Sequence, residues 1–204
     1  MARFTTERGF DRVVFFSDAT VAIALTLLVL PLADLASAAH GLTTRALIDQ
    51  NFSAIVAFVI SFVVIAVVWL EHHRLFESLA NYSWPLLLIN FVWLFAVVGL
   101  PFSTEANEEA PGSDRGAIAL YIANLLLAFV AIALMRITAL RNPRLIEPSQ
   151  REHFSATESI ALVILCVIAL IVAVSVPAIG MWSLFLLALS GVLSRLLRGM
   201  RRSR

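Results

Sequence analysis

The sequence has no lysine, a single cysteine and few charged residues of any kind. Only 14% of its 204 residues are charged, whereas 60% are hydrophobic; soluble proteins carry roughly 25% charged residues. A water-soluble fold could not bury that much apolar surface, so the composition excludes a soluble protein. The one cysteine, Cys166, lies in an apolar run. It cannot form an intrachain disulfide, and its setting is typical of a small buried side chain.

Six apolar segments are long enough to cross a membrane, since a spanning helix needs about 20 residues. They lie near 13–32, 50–70, 84–104, 116–136, 158–176 and 180–197. Polar residues separate the first five, and a turn at 177–180 separates the last two. The sequence contains no hydrophilic linker, low-complexity tract or soluble domain. We therefore predict an all-α membrane protein in which residues 1–204 form one domain of six transmembrane helices.

The arginines lie almost entirely on one side of these spans. Thirteen of the fifteen lie at the N-terminus, in the second connection, in the fourth connection or at the span end beside it, or at the C-terminus from Arg195 onward, and only Arg45 and Arg115 lie on the other side. Basic residues next to spans stay in the cytoplasm. We expect both termini to be cytoplasmic and the chain to be a multi-pass protein of the cell (plasma) membrane. The arginines of 195–204 are expected to contact anionic lipid, and nucleic-acid binding is not expected.

The first apolar segment also has features of a cleaved leader. Residues 36–38 read Ala-Ser-Ala, which resembles a signal-peptidase site. However, Glu7, Asp11 and Asp18 do not fit the basic start of a signal peptide. We expect the segment to be kept as a spanning helix.

Asp18 is the most informative single residue, because a carboxylate inside a spanning helix costs roughly 2.5–3.5 kcal/mol on insertion scales. Two placements are open. Asp18 could cap a helix that starts at Ala19, but only about 14 residues would then reach Leu32, which is short for the membrane core. A helix that starts near Val13 would span about 30 Å and hold Asp18 inside. The spacing favours the second placement.

An aliphatic stripe follows Asp18 on the same helix. Ile23, Leu27 and Leu30 recur at i, i+4 and i+7, and Thr26 lies on an adjoining face. Such a stripe usually packs against other helices, and the pattern alone does not distinguish packing from a pore.

The first three spans share a set of motifs. Arg12, Phe16, Ser17 and Asp18 form the pattern R-x-x-x-F-S-D at the start of the first span. Trp69 and His73 lie one turn apart at the end of the second, Asn90 lies in the third, and Leu-Pro pairs at 30–31 and 100–101 are placed to end the first and third spans. This combination resembles the endosomal/lysosomal potassium-channel family, transmembrane protein 175, and its prokaryotic six-helix members.

The resemblance implies a potassium channel without a carbonyl-lined filter, and this sequence has no T-V-G-Y-G-like segment. It implies a homotetramer in which the first helix of each chain lines the pore. The constricting side chain would be Ile23, with Leu27 and Leu30 as further hydrophobic rings and with Ala22 and Thr26 supporting selectivity. Animal members have serine where Ala22 stands, so we expect only a modest preference for K⁺ among monovalent cations.

The resemblance also implies a polar network that holds the pore helix against its neighbours. Its members would be Arg12, Ser17, Asp18, Trp69, His73 and Asn90. The alternative is that these side chains act separately, with Arg12 at lipid headgroups, Trp69 in an aromatic belt and His73 in solvent.

Other functions fit the residues less well. A proton pathway or secondary cation transporter could use Asp18 and His73, although broken helices and inverted repeats, which are typical of transporters, are not evident. The run Glu71-His72-His73 lacks a metal-binding spacing, so we predict no metal site. No paired carboxylates within the spans, serine–histidine arrangement or metal-binding set on facing segments indicates an enzyme. The expected ligand is the permeant K⁺ ion, with no cofactor.

Overall fold

The computed structural model describes residues 7–39, 41–110 and 114–176, together with 183, 184, 186 and 187. Within these residues the regular elements are all helices, apart from one isolated β-bridge. The helices are α1 Glu7–Leu27, α2 Leu30–Ala38, α3 Thr44–Gln50, α4 Phe52–Glu77, α5 Trp84–Glu109, α6 Arg115–Arg141 and α7 Thr157–Ser175, with 3₁₀ turns at Pro143–Leu145 and Pro148–Gln150. Five stretches in the described part are long and apolar enough to cross a membrane: 8–38, α4, α5, α6 and α7.

The first five predicted spans each coincide with one of these stretches, so the prediction of a multi-pass helical membrane protein is confirmed. The connections are shorter than predicted. α4 continues to Glu77, which places Glu71, His72 and His73 in a helix and not in a loop. The sixth predicted span, 180–197, and the turn before it lie outside the described residues, except for the four positions named above.

The prediction that Pro31 ends the first helix is wrong. The helix is interrupted at 28–29 and resumes as α2, which carries Pro31 in its first turn. Proline is tolerated there because the missing N–H would have no partner within the helix. The first span is therefore interrupted at this point and continues to Ala38.

Pro101 does not end α5 either, and that prediction is also wrong. The helix continues to Glu109, although an interior proline removes one backbone hydrogen bond. The neighbouring helix supports this stretch, because Asn124 Nδ2 on α6 donates to the carbonyl oxygen of Ala96 at 2.9 Å.

The core of the chain lies around α6, which packs against α5 and α7. Trp93, Tyr121 and Phe129 are its largest fully buried side chains. The most apolar stretch of α6 is 56% buried, whereas the corresponding stretch of the first span is only 22% buried. The first span and α4, whose most apolar stretch is also only 22% buried, thus leave most of their surface uncovered within the chain.

Candidate functional site

Polar side chains join α1, α5 and α4 near the motif. Asn90 Nδ2 donates to Ser17 Oγ at 3.0 Å, and Ser17 Oγ donates to the carbonyl oxygen of Val13 at 2.9 Å. Asn90 Oδ1 lies 2.8 Å from His72 Nε2. Because an amide oxygen only accepts, Nε2 is the protonated nitrogen of His72 in this arrangement. A continuous buried chain of hydrogen bonds therefore runs across three helices.

Asp18 is bound to α4 by a separate contact. Trp69 Nε1 donates to Asp18 Oδ1 at 2.8 Å, and Asp18 is half-buried. Since α1 begins at Glu7, Asp18 lies about three turns inside the helix. It is not a helix cap, and the indole N–H supplies the donor that a carboxylate at this depth requires.

Two of the residues predicted for the network are placed differently. His73 does not join the hydrogen-bonded chain; its ring stacks on Trp69 with a centroid distance of 5.0 Å, and its Nε2 lies 3.2 Å from Glu77 Oε1. Arg12 is exposed and forms neither a hydrogen bond nor an ion pair with any residue in the described part of the chain. The structure brings Ser17, Asp18, Trp69 and Asn90 to the place where α1 meets α4 and α5, which we call the polar junction. The role of the polar junction stays a prediction.

His72 is the residue that the sequence reasoning missed. It is buried, and its ring stacks between Trp93, with centroids 3.8 Å apart, and Phe76, with centroids 4.2 Å apart. Helical spacing could have indicated it: Val68, His72 and Leu75 recur at i, i+4 and i+7 and form one buried face of α4.

The predicted constriction residues lie on the outer face of the first span. Ile23 is 59% exposed and Leu30 is 52% exposed, and Ala22 and Thr26 are exposed with them. The buried residues of the same helix lie opposite, at Ser17, Val21, Ala24 and Leu28, where they recur at i, i+4, i+7 and i+11. In the protomer, therefore, the aliphatic stripe is not used for packing against α4 or α5.

Thr26 and Leu27 differ from Ile23 in their surroundings. The hydroxyl of Thr26 donates to the carbonyl oxygen of Ile23 at 2.8 Å, in the last turn of α1. Leu27 is 39% exposed and borders a cleft of about 340 Å³ between the first span, α4 and α5. The carboxylates lining that cleft are Asp34, Glu105, Glu108 and Glu109.

Comparison with known proteins accounts for the motif. The sequence profile described as "Endosomal/lysosomal potassium channel TMEM175" matches residues 12–101, which contain every residue of the motif set. A potassium channel of Streptomyces collinus is 32% identical over 148 residues, covering 69% of this chain and 71% of that protein. This chain belongs to the TMEM175 family. Membership places it among ion channels and not among enzymes.

Two further TMEM175 proteins show how far the likeness extends. The endosomal/lysosomal proton channel TMEM175 of Bos taurus is 28% identical over 153 residues, covering 69% of this chain but only 32% of its own length. The chain thus spans about a third of that relative. A crystal structure of a variant of the potassium channel MtTMEM175, in complex with a nanobody–MBP fusion protein, matches with a TM-score of 0.58 and 17% identity. The match covers 94% of this chain and 93% of the MtTMEM175 chain, so the two proteins share the TMEM175 fold.

Proposed function

We propose that this chain is one subunit of a homotetrameric cation channel with a preference for K⁺. The whole of residues 1–204 would form a single channel domain in the plasma membrane, with both termini in the cytoplasm. Membership of the TMEM175 family, the likeness to a bacterial potassium channel and the arginine distribution support this proposal.

The observation that carries the proposal is the exposed aliphatic face of the first span. Ile23, Leu27 and Leu30 are hydrophobic, yet the protomer leaves them uncovered. Four copies around a central axis would turn this face into stacked apolar rings. Such rings close a pore by excluding water and open it when they move apart.

Selectivity in such a pore would be modest. An aliphatic ring offers no oxygen atoms, so an ion passes with part of its own hydration shell. K⁺ gives up water more easily than Na⁺ and would therefore pass more readily. Beside the ring, the hydroxyl of Thr26 donates its proton to the carbonyl oxygen of Ile23. The hydroxyl oxygen keeps a lone pair that could accept from the water around a hydrated cation. Ala22 offers only a methyl group.

Negative charge at the end of the first span that follows Leu27 favours cations over anions. Four carboxylates line the cleft beyond Leu27. Negative charge grouped in a cleft raises the local concentration of cations and lowers that of anions. This end would be the extracellular mouth, because the arginines indicate that the opposite end is cytoplasmic.

Ile23→Asn tests the pore directly. We expect the variant to conduct K⁺ and Na⁺ with a smaller difference between them, because an amide offers ligands where the native ring offers none. The matched control is Ile171→Asn on α7, since Ile171 is also 59% exposed and the substitution is chemically identical. Reversal potentials in planar bilayers under mixed K⁺ and Na⁺ measure the change. Equal effects of the two variants, or no effect of Ile23→Asn, would contradict a pore at Ile23.

A proton pathway or secondary cation transporter is the second candidate. Trp69 connects Asp18 to His73, through a hydrogen bond on one side and a ring stack on the other, and the bovine relative is named a proton channel. Flux in liposomes separates the candidates. A channel dissipates a K⁺ gradient without any coupled ion, whereas an exchanger stops when the coupled ion is removed.

A further inference from the structure

A buried ion pair lies beside the polar junction and takes no part in the proposed pore. Glu71 on α4 and Arg136 on α6 are each only 8% exposed. Arg136 Nη2 lies 3.7 Å from Glu71 Oε2. This distance is too long for a hydrogen bond, so the two charges attract one another without a direct bond between these atoms.

Each side chain has one satisfied end and one unsatisfied atom. Arg74 Nη1 donates to Glu71 Oε1 at 2.8 Å, and Arg136 Nη1 donates to the carbonyl oxygen of Ser155 at 3.2 Å. Glu71 Oε2 and Arg136 Nε are fully shielded from solvent and have no hydrogen-bond partner among the described residues. A buried polar atom without a partner is destabilising, and more so when it is charged.

The chemistry of the two atoms limits what can satisfy both. Glu71 Oε2 needs a donor, whereas Arg136 Nε–H needs an acceptor. An anion could accept from Arg136 but would be repelled by the Glu71 carboxylate. A metal cation could bind the carboxylate but would be repelled by the guanidinium. A water molecule both donates and accepts, and buried waters typically make two to four such bonds.

We propose that Glu71 and Arg136 form a binding site for an ordered water molecule that bridges Glu71 Oε2 and Arg136 Nε. The water converts a long ion pair into a continuous hydrogen-bonded link between α4 and α6. In enthalpy this bridge would be close to a direct hydrogen bond.

The site lies where the connection between α6 and α7 is attached to the end of α4. Ala80 N donates to the carbonyl oxygen of Leu145 at 2.9 Å, and Glu147 N donates to that of Ser78 at 3.0 Å. Arg136 holds the far end of the same connection through Ser155. The water would therefore complete the attachment of this segment one residue away from His72.

A map of the full chain in lipid nanodiscs, at a resolution that shows ordered waters, tests the proposal. We expect isolated density within hydrogen-bond distance of both Glu71 Oε2 and Arg136 Nε, present equally in K⁺ and in Na⁺ buffer. Trp93 Nε1 is the internal control, since it is also buried without a partner but offers only a single donor. We expect no density there, because a lone donor cannot hold a buried water.

Three results would overturn the proposal: an empty gap between the two atoms, a protein partner for each of them, or density that depends on which cation is present. Density of equal height at Trp93 Nε1 would also count against it. The double variant Glu71→Met, Arg136→Met removes both polar atoms, and we expect it to lose the density. If this variant does not fold, the map of the native chain still decides the question.

Discussion

At the scale of single residues, the contact between Asp18 and Trp69 combines a hydrogen bond with the charge of the carboxylate, and substitutions can separate the two. The indole N–H needs an acceptor, and the carboxylate supplies both an oxygen atom and a charge. Asp18→Asn can keep an oxygen for Trp69 but removes the charge. Asp18→Leu removes both and leaves the indole N–H without its acceptor.

We expect Asp18→Leu to destabilise the protein by about 1.5–3 kcal/mol, which is typical for loss of a hydrogen bond to a charged group. Asp18→Asn should cost less, because a neutral hydrogen bond, worth about 0.5–1.5 kcal/mol, can remain. Thermal unfolding in detergent, followed by size-exclusion chromatography, measures the difference. If Asp18→Asn proved as harmful as Asp18→Leu, the charge itself would be the essential part.

His72 and His73 are adjacent, and substituting each in turn separates their roles. His72→Ala leaves Asn90 Oδ1 without its donor and opens a cavity between Trp93 and Phe76, so we expect a loss of about 2–4 kcal/mol. His73→Ala loses a partly exposed ring and a pair with Glu77, for which we expect less than about 1 kcal/mol. The same thermal measurement applies to both. A larger effect at His73 would contradict the hydrogen-bonded chain described here.

The junction could be anticipated from the sequence in part. The motif placed Ser17, Asp18, Trp69 and Asn90 on the first three spans, and the structure brings them together. The motif did not determine which of the two neighbouring histidines, His72 or His73, is buried. Consecutive residues on a helix point about 100° apart, so only the position of the other helices decides which one is buried.

At the scale of the elements, the packing of α6 on α5 involves a close contact between Asn124 and Gly99. Asn124 crosses from α6 and donates to the carbonyl oxygen of Ala96, close to Pro101. A Cβ atom added at Gly99 would lie 3.0 Å from Asn124 Nδ2, closer than such contacts normally are. Glycine is therefore needed here for the close approach of Asn124.

This geometry predicts that the effect of Gly99→Ala on stability changes sign when Asn124 is also substituted. Gly99→Ala alone should destabilise the chain by about 1 kcal/mol, because Asn124 must move and its hydrogen bond is lost. In an Asn124→Ala background the same substitution should stabilise by about 0.5–1 kcal/mol, since alanine is the better helix residue. Melting temperatures of the four proteins measure this double-mutant cycle. Additive effects would show that the two residues are not coupled.

The positions of the spans were predictable because a membrane helix requires a long apolar run. The ends of the helices were not. Polar residues such as those at 71–77 continue α4 because their side chains find partners within the protein, as Glu71 does with Arg74. Pro31 and Pro101 are both standard signals for a helix end, yet one lies in a first turn and the other is supported by a neighbouring helix.

At the scale of the whole molecule, the proposed assembly depends on the uncovered face of the first span. The protomer buries α6 deeply and leaves Ile23 and Leu30 at its surface. Lipid would cover this face in a single chain, whereas in the proposed tetramer the face would line a central pore. The two environments differ in one measurable property, since a pore contains water when it is open and lipid excludes it.

Cysteine substitution exploits that difference, because the only native cysteine, Cys166, is fully buried. We expect Ile23→Cys to react with a small charged thiol reagent and to lose most of its K⁺ current, since a charged adduct on four subunits would occupy the pore. Ile171→Cys has the same exposure in the protomer but would face lipid, where the thiol is rarely ionised and the reagent rarely reaches it. Thiol labelling measured by mass spectrometry, together with current in planar bilayers, separates these cases. Equal labelling at both positions, or labelling of Ile23→Cys without loss of current, would remove Ile23 from the ion path.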